Sequence, residues 1–256
     1  MLVSSRSSFQ TSVMSTTTPH PKTLLEDIIN GIAVDLYHVE EAIFLDDFVR
    51  SNAGQINAAS FGQFFGSLQI ILGRFLILQA ARIFEANNSR YPIRSIPSAL
   101  AVLQQHGDQF VVEQRPGLIR ALSREGVLSE QLNGLSDSEI TRFVVDFFSR
   151  RMSESDPEGF HNARALMALK TVRDKTVAHP EAIAISELPK TTFADIDRLA
   201  ALARTFLGAV GFGYLSTAYA DDSGDHLMSS DAKRSAFCLR RLLQNAGIVT
   251  QINTHM

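Results

Sequence analysis

Cysteine is almost missing from this chain: Cys238 stands alone among 256 residues. That excludes an intrachain disulfide, a multi-cysteine zinc site and an iron–sulfur cluster held by one chain, and a reducing, cytoplasmic compartment is the natural reading. Tryptophan is absent, and neither sign of charge dominates. The 24 Lys and Arg against 27 Asp and Glu give a formal net charge of −3 and a pI near 6.2. A globally basic nucleic-acid binder is thereby excluded, because neutralising phosphates needs a marked basic excess, although a local patch is not. A long uninterrupted apolar run is missing too. The strongest, Leu68 to Phe84, is broken by Arg74, Gln79 and Arg82, too densely for a span of roughly 20 apolar residues. It is expected to be a buried helix, and no membrane association is expected.

What is present is the profile of a globular protein, with 45% hydrophobic and 20% charged residues. The first 20 residues are rich in serine and lack both acidic residues and an apolar signal core, so residues 1–20 are expected to be a disordered extension. Met14 is a plausible alternative start. Residues 21–220 read as one helical domain, and residues 221–256 as a loop followed by an amphipathic helix.

The helices announce themselves by polar caps followed three residues later by Glu or Gln, with apolar residues at three- and four-residue spacing. Thr23 with Glu26 predicts a helix to about Arg50, and Ser60 with Gln63 a second through Ile83. Pro97 and Pro116 fit the first turns of two shorter helices, where the missing amide costs nothing. Ser136 with Glu139 opens another, and Asp156 before Pro157 is expected to start the next. A long helix is predicted from about Thr192 to Tyr219, with Gly211 and Gly213 marking close packing, and a basic helix from Ser230 to Ala246 stopped by Gly247. Strand-like alternation persists nowhere. The fold class predicted is all-α, an up-and-down bundle with extra peripheral helices.

One segment carries chemistry: RDKTVAH, Arg173 to His179, ahead of Pro180, which biases the preceding residue away from helical angles. On an ideal α-helix at about 100° per residue, Arg173 and His179 point roughly 120° apart, so the pair needs a helix end, a second chain, or both. Arg164, Lys170, Arg173 and Lys175 against Asp174 make the surroundings positive. The plainer reading is that these cations complement the negative end of a helix dipole.

An arginine, then a polar residue, then a histidine after a short gap, late in a helical bundle, resembles the motif of HEPN domains. RDKTVAH is especially similar to the HEPN proteins of bacterial abortive-infection systems, and so is the stretch holding FGQFF, GRFLILQAARIFE and SIPSAL, Phe61 to Leu100. The resemblance covers about Thr23 to Tyr219. It implies a HEPN-type bundle that dimerises through its motif helices and cuts RNA without metal or cofactor. Arg173 would hold the phosphate, His179 would act as acid or base, Asp174 would orient one of them, and Lys170, Lys175 and Arg164 would contact RNA. Such chemistry suits these residue types: histidine titrates near neutrality, and arginine holds phosphate bidentately. An antitoxin or regulatory protein is a further expected partner. Val172 departs from relatives that carry a basic residue before the arginine. A catalytically silent interaction module binding a protein or nucleotide is the alternative.

Other clusters read as ordinary surface. His38 with Glu40 and Glu41, the acids Glu154, Asp156 and Glu158, and the loop DDSGDH, Asp221 to His226, are expected to be solvated. Phe61, Phe64 and Phe65 are expected in the core or a dimer interface. Lys233, Arg234, Arg240 and Arg241 are expected on a solvated face.

Overall fold

The computed structural model describes residues 19–88, 93–178, 188–189, 191–219 and 226–250. Among them there are helices and turns and no strand, so the fold is all-α as the patterning predicts. The longest helix, α1 (Pro21–Ser51), starts earlier than its sequence signal. Its cap is His20, whose Nδ1 accepts from the Lys22 amide, and Pro21 takes the first-turn position. Thr23 and Glu26 therefore lie inside the helix and form no capping box. After the short α2 (Ala53–Ala58) the chain turns through Ser60 at φ 65°, and α3 (Gly62–Ile83) begins without a side-chain cap. Ser60 sits in the left-handed turn and not at the cap.

Downstream the polar caps hold. Ser95 accepts from the Ser98 amide at the start of α4 (Ile96–His106), and α5 spans Arg115–Ser123. Ser136 and Glu139 close a reciprocal capping box on α6 (Asp137–Arg151), the Ser136 amide donating to Glu139 Oε2 at 2.8 Å. Asp156 spends its carboxylate on the amides of Glu158 and Gly159 in a preceding turn, which delays α7 to Phe160–Val172. Thr192 and Asp195 box the start of α8 (Phe193–Leu215), which ends at Ser216 in the left-handed region. The last helix, α9 (Ser229–Asn245), is followed by Gly247 at φ 70°, the position where glycine avoids a Cβ penalty.

The main core gathers Leu25, Ile29, Ile32 and Leu36 of α1, Leu103 of α4, Phe148 of α6, and Phe206 with Leu207 of α8. Phe148 meets Phe206 edge to face, with ring centres 5.0 Å apart. Helices α5 and α8 pack reciprocally: Gly117 lies under the Phe212 ring and Gly213 under Leu118, where any Cβ would collide. A satellite core of Phe48, Val49, Ile56, Phe65, Leu243 and Val249 docks α9 on the far end of α1.

Three expectations are corrected. Helix α3 is only partly buried: Phe65, Leu76, Ala80, Ala81 and Ile83 point inward, while Phe64, Ile70 and Ile71 are each at least 60% exposed. Its polar residues are too few to cover the face turned away from α1, and by length and composition alone it suffices to cross a membrane. The Phe61–Phe65 stripe accordingly divides, with Phe65 in the satellite core and Phe61 and Phe64 at the surface. Glu40 is not solvated either, being 1% exposed. Arg204 Nε donates to its Oε1 at 2.6 Å and Ser229 Oγ to its Oε2 at 2.5 Å. The equally buried His226 stands 3.5 Å from Oε2, longer than a good hydrogen bond. Asp221 to Asp225 lie outside the described residues, but His226 belongs to this interior cluster and not to a solvated turn.

Candidate active site

The motif begins where α7 stops being an α-helix. Ala165 and Leu169 hold α7 to the main core, and Asn162 Nδ2 donates to the Arg151 carbonyl, tying its first turn to the end of α6. Beyond Val172 the backbone widens into a π-helical turn, Arg173–Ala178. Thr176 Oγ1 donates back to the Val172 carbonyl at 2.5 Å. A π turn swings the side chains that follow away from the face α7 would have given them, and such turns concentrate at functional sites. His179 itself lies outside the described residues, as does Pro180.

The Arg173 guanidinium is held from two directions. Asp174 Oδ1 accepts from Nε at 2.8 Å and lies 2.7 Å from Nη2 as an ion-pair partner, while Nη1 donates to Glu85 Oε2. Burial disfavours the charge, but the bonds to Glu85 and Asp174 outweigh it and raise the Arg173 pKa above the ordinary arginine value. Glu85 follows directly on the last turn of α3, where its amide donates to the Arg82 carbonyl. The two stretches of sequence that carry the HEPN resemblance thus meet in space at Glu85 and Arg173. Sequence reasoning misses Glu85 as a site residue. The available signal is its place at the end of GRFLILQAARIFE, a lone acid closing an apolar helix.

Arg173 stands at the rim of a cleft of about 160 Å³ between the end of α3 and α7, lined by Phe84, Glu85, Leu166, Met167 and Lys170 among others. Lys170 and Arg173 are brought together there, and Asp174 reaches the cleft through Arg173. Arg164 is not: its guanidinium lies over the Phe160 ring at 5.6 Å, away from the cleft lining. Lys175 is half-buried and is likewise not among the lining residues. A guanidinium has five N–H groups; among the described residues Asp174 and Glu85 each accept a hydrogen bond from one of them. The arrangement presents a pre-oriented cation with donors to spare, in a cleft that Lys170 also lines. It suits binding an oxyanion.

No cluster of three or more His, Cys, Asp or Glu side chains fit to hold a metal occurs among the described residues.

A model of the HEPN family described as AbiU2 matches residues 42–234, a stretch that contains Glu85, Arg173 and His179. No curated protein and no solved structure matches the chain.

Proposed function

Because the chain belongs to the AbiU2 family of HEPN abortive-infection proteins, we propose that it is a metal-independent endoribonuclease acting in an antiphage or toxin-like role. The observation that carries this reading is the Arg173 guanidinium, locked by Glu85 and Asp174 at the rim of the cleft that also receives Lys170. Arg173 binds the scissile phosphate and stabilises the charge that develops on it. His179 takes the proton from the ribose 2′-hydroxyl or returns one to the departing 5′-oxygen. The 2′-oxygen attacks phosphorus and the 5′-oxygen leaves, so the 5′ fragment ends in a 2′,3′-cyclic phosphate and the 3′ fragment in a free 5′-hydroxyl. Asp174 and Glu85 are positioning residues that fix Arg173. A homodimer paired through the motif-bearing segments, in the cytoplasm, would bring two such sets to one RNA.

Growth after induced expression tests the reading. The wild-type chain is expected to arrest cells with loss of intact RNA, and the Arg173→Ala and His179→Ala chains, expressed to equal level, are expected to permit growth. Equal growth for all three would leave the silent interaction module as the better account.

A further inference from the structure

Away from the motif, α9 lies along the far end of α1 and leaves between them a groove of about 520 Å³. Its lining alternates positive charge with aromatic rings. Lys233, Phe237, Arg240 and Gln244 fall at intervals of four, three and four residues, so one face of α9 presents all four to the groove. Lys233 Nζ sits 5.4 Å from the centre of the Phe44 ring. The Arg240 guanidinium is held between two rings, 5.6 Å from Phe48 and 5.5 Å from Phe237. Phe237 is 60% exposed. Asp47 is the acidic residue of the described lining, against two cations.

A merely solvated helix face gains nothing by exposing Phe237 or by setting its cations on rings, whereas both features are what a single nucleic-acid strand requires. Bases stack on aromatic faces regardless of sequence, and neighbouring cations follow the backbone. Lys233 and Arg240 are about 10 Å apart along the helix axis, with the Phe237 ring between them. The positive charge is also segregated: the chain is net acidic, yet α9 carries Lys233, Arg234, Arg240 and Arg241 against Asp231 alone. The side of α9 that faces α1 is already covered, with Ala232 and Leu243 buried, and Phe237 and Leu242 are its exposed large apolar residues.

We propose that the groove between α1 and α9 is a second nucleic-acid site, which binds single-stranded RNA by stacking one base on Phe237 and neutralising flanking phosphates with Lys233 and Arg240. It rests on the ribonuclease reading only for the identity of the strand, and it delivers the substrate to the chain independently of the motif.

The test is fluorescence anisotropy of the full chain with a labelled 2′-O-methyl oligouridylate, which lacks the attacking hydroxyl. Binding is expected to weaken about tenfold in Phe237→Ala and in Phe237→Leu, each with an unchanged melting temperature. In Lys233→Gln with Arg240→Gln, the slope of log K against log salt is expected to fall by about 0.7 for each phosphate that is no longer neutralised. Absence of binding at low salt, unchanged affinity in both Phe237 variants, an unchanged salt slope, or equal displacement by poly-glutamate each overturns the proposal. The last would mark the groove as an acidic-protein surface. Cleavage is read in a separate reaction, so a chain that binds through the groove but cuts no RNA refutes the catalytic reading alone.

Discussion

Purified Arg173→Ala and His179→Ala chains are expected to cleave RNA at least a hundredfold more slowly than the wild type. A positioned acid or base contributes about 10² to 10⁴ in rate, and a donor aimed at developing charge a comparable factor. The Arg173→Lys chain is expected to be nearly as impaired. An ammonium keeps the charge but cannot bond Asp174, reach Glu85 and still present a flat pair of donors to phosphate. Glu85→Gln separates positioning from chemistry. It keeps an acceptor for Arg173 without the charge, so the turnover rate should fall several-fold while KM changes little. Circular dichroism and melting must match the wild type in each case, because Arg173 is a half-buried ion-pair member. Wild-type rates in all four chains would remove the site.

The second large effect is structural. Replacing Glu40 by alanine is expected to lower the stability at neutral pH by about 3 kcal/mol, or roughly 10 °C in melting temperature. Glu40 is fully buried, and its removal strands Arg204 and Ser229, the two groups that donate to it at the junction of α1, α8 and α9. Arg204 is a quarter exposed, so water repays part of its loss and the lower end of the range applies. The same cluster sets an acid limit. Burial opposes ionisation of Glu40, but His226, Ser229 and Arg204 together outweigh it and hold its pKa below the ordinary 4.5. A depressed carboxylate contributes stability that is present above pH 4.5 and is lost as pH falls through its folded value. Asp35 works with the opposite sign. Burial raises its pKa against Arg82, His38 and Arg94, so its contribution is greatest at low pH and is lost as pH rises. Below pH 4.5 the Glu40→Gln chain should therefore lose stability less steeply than the wild type. Urea melts at several pH values measure this directly, and parallel curves would show that Glu40 does not govern the acid limb.

Much of the helical frame was legible, and the residues say why. Ser136 with Glu139, and Thr192 ahead of α8, act within one turn, so the local signal meets little competition. Thr23 and Ser60 carry a similar signal and lost to their neighbours: Pro21 in the first turn moves the cap of the first helix three residues earlier, to His20, and the turn after α2 takes Ser60 into the left-handed region. Burial was harder to read. Glu40 looks like a solvated acid until Arg204, more than 160 residues later, is folded against it. Leu68 to Phe84 looks like a core helix because hydropathy counts apolar residues without saying how many neighbours will cover them. At the candidate site, Arg173 and Asp174 were legible as a motif. The π turn was not, since no residue type specifies it, and Glu85 was not, since it lies 88 residues away in the chain. The aromatic faces beneath Lys233 and Arg240 were hidden for the same reason, Phe44 and Phe48 being supplied by α1.

The claim that Arg173 and His179 form a ribonuclease site is tested most directly by the ends of the RNA. The full chain is incubated with a defined single-stranded RNA in excess chelator, and the fragments are identified by mass spectrometry. The account predicts cleavage with 2′,3′-cyclic phosphate and 5′-hydroxyl ends. No cleavage, cleavage abolished by the chelator, or fragments carrying 5′-phosphates would contradict it.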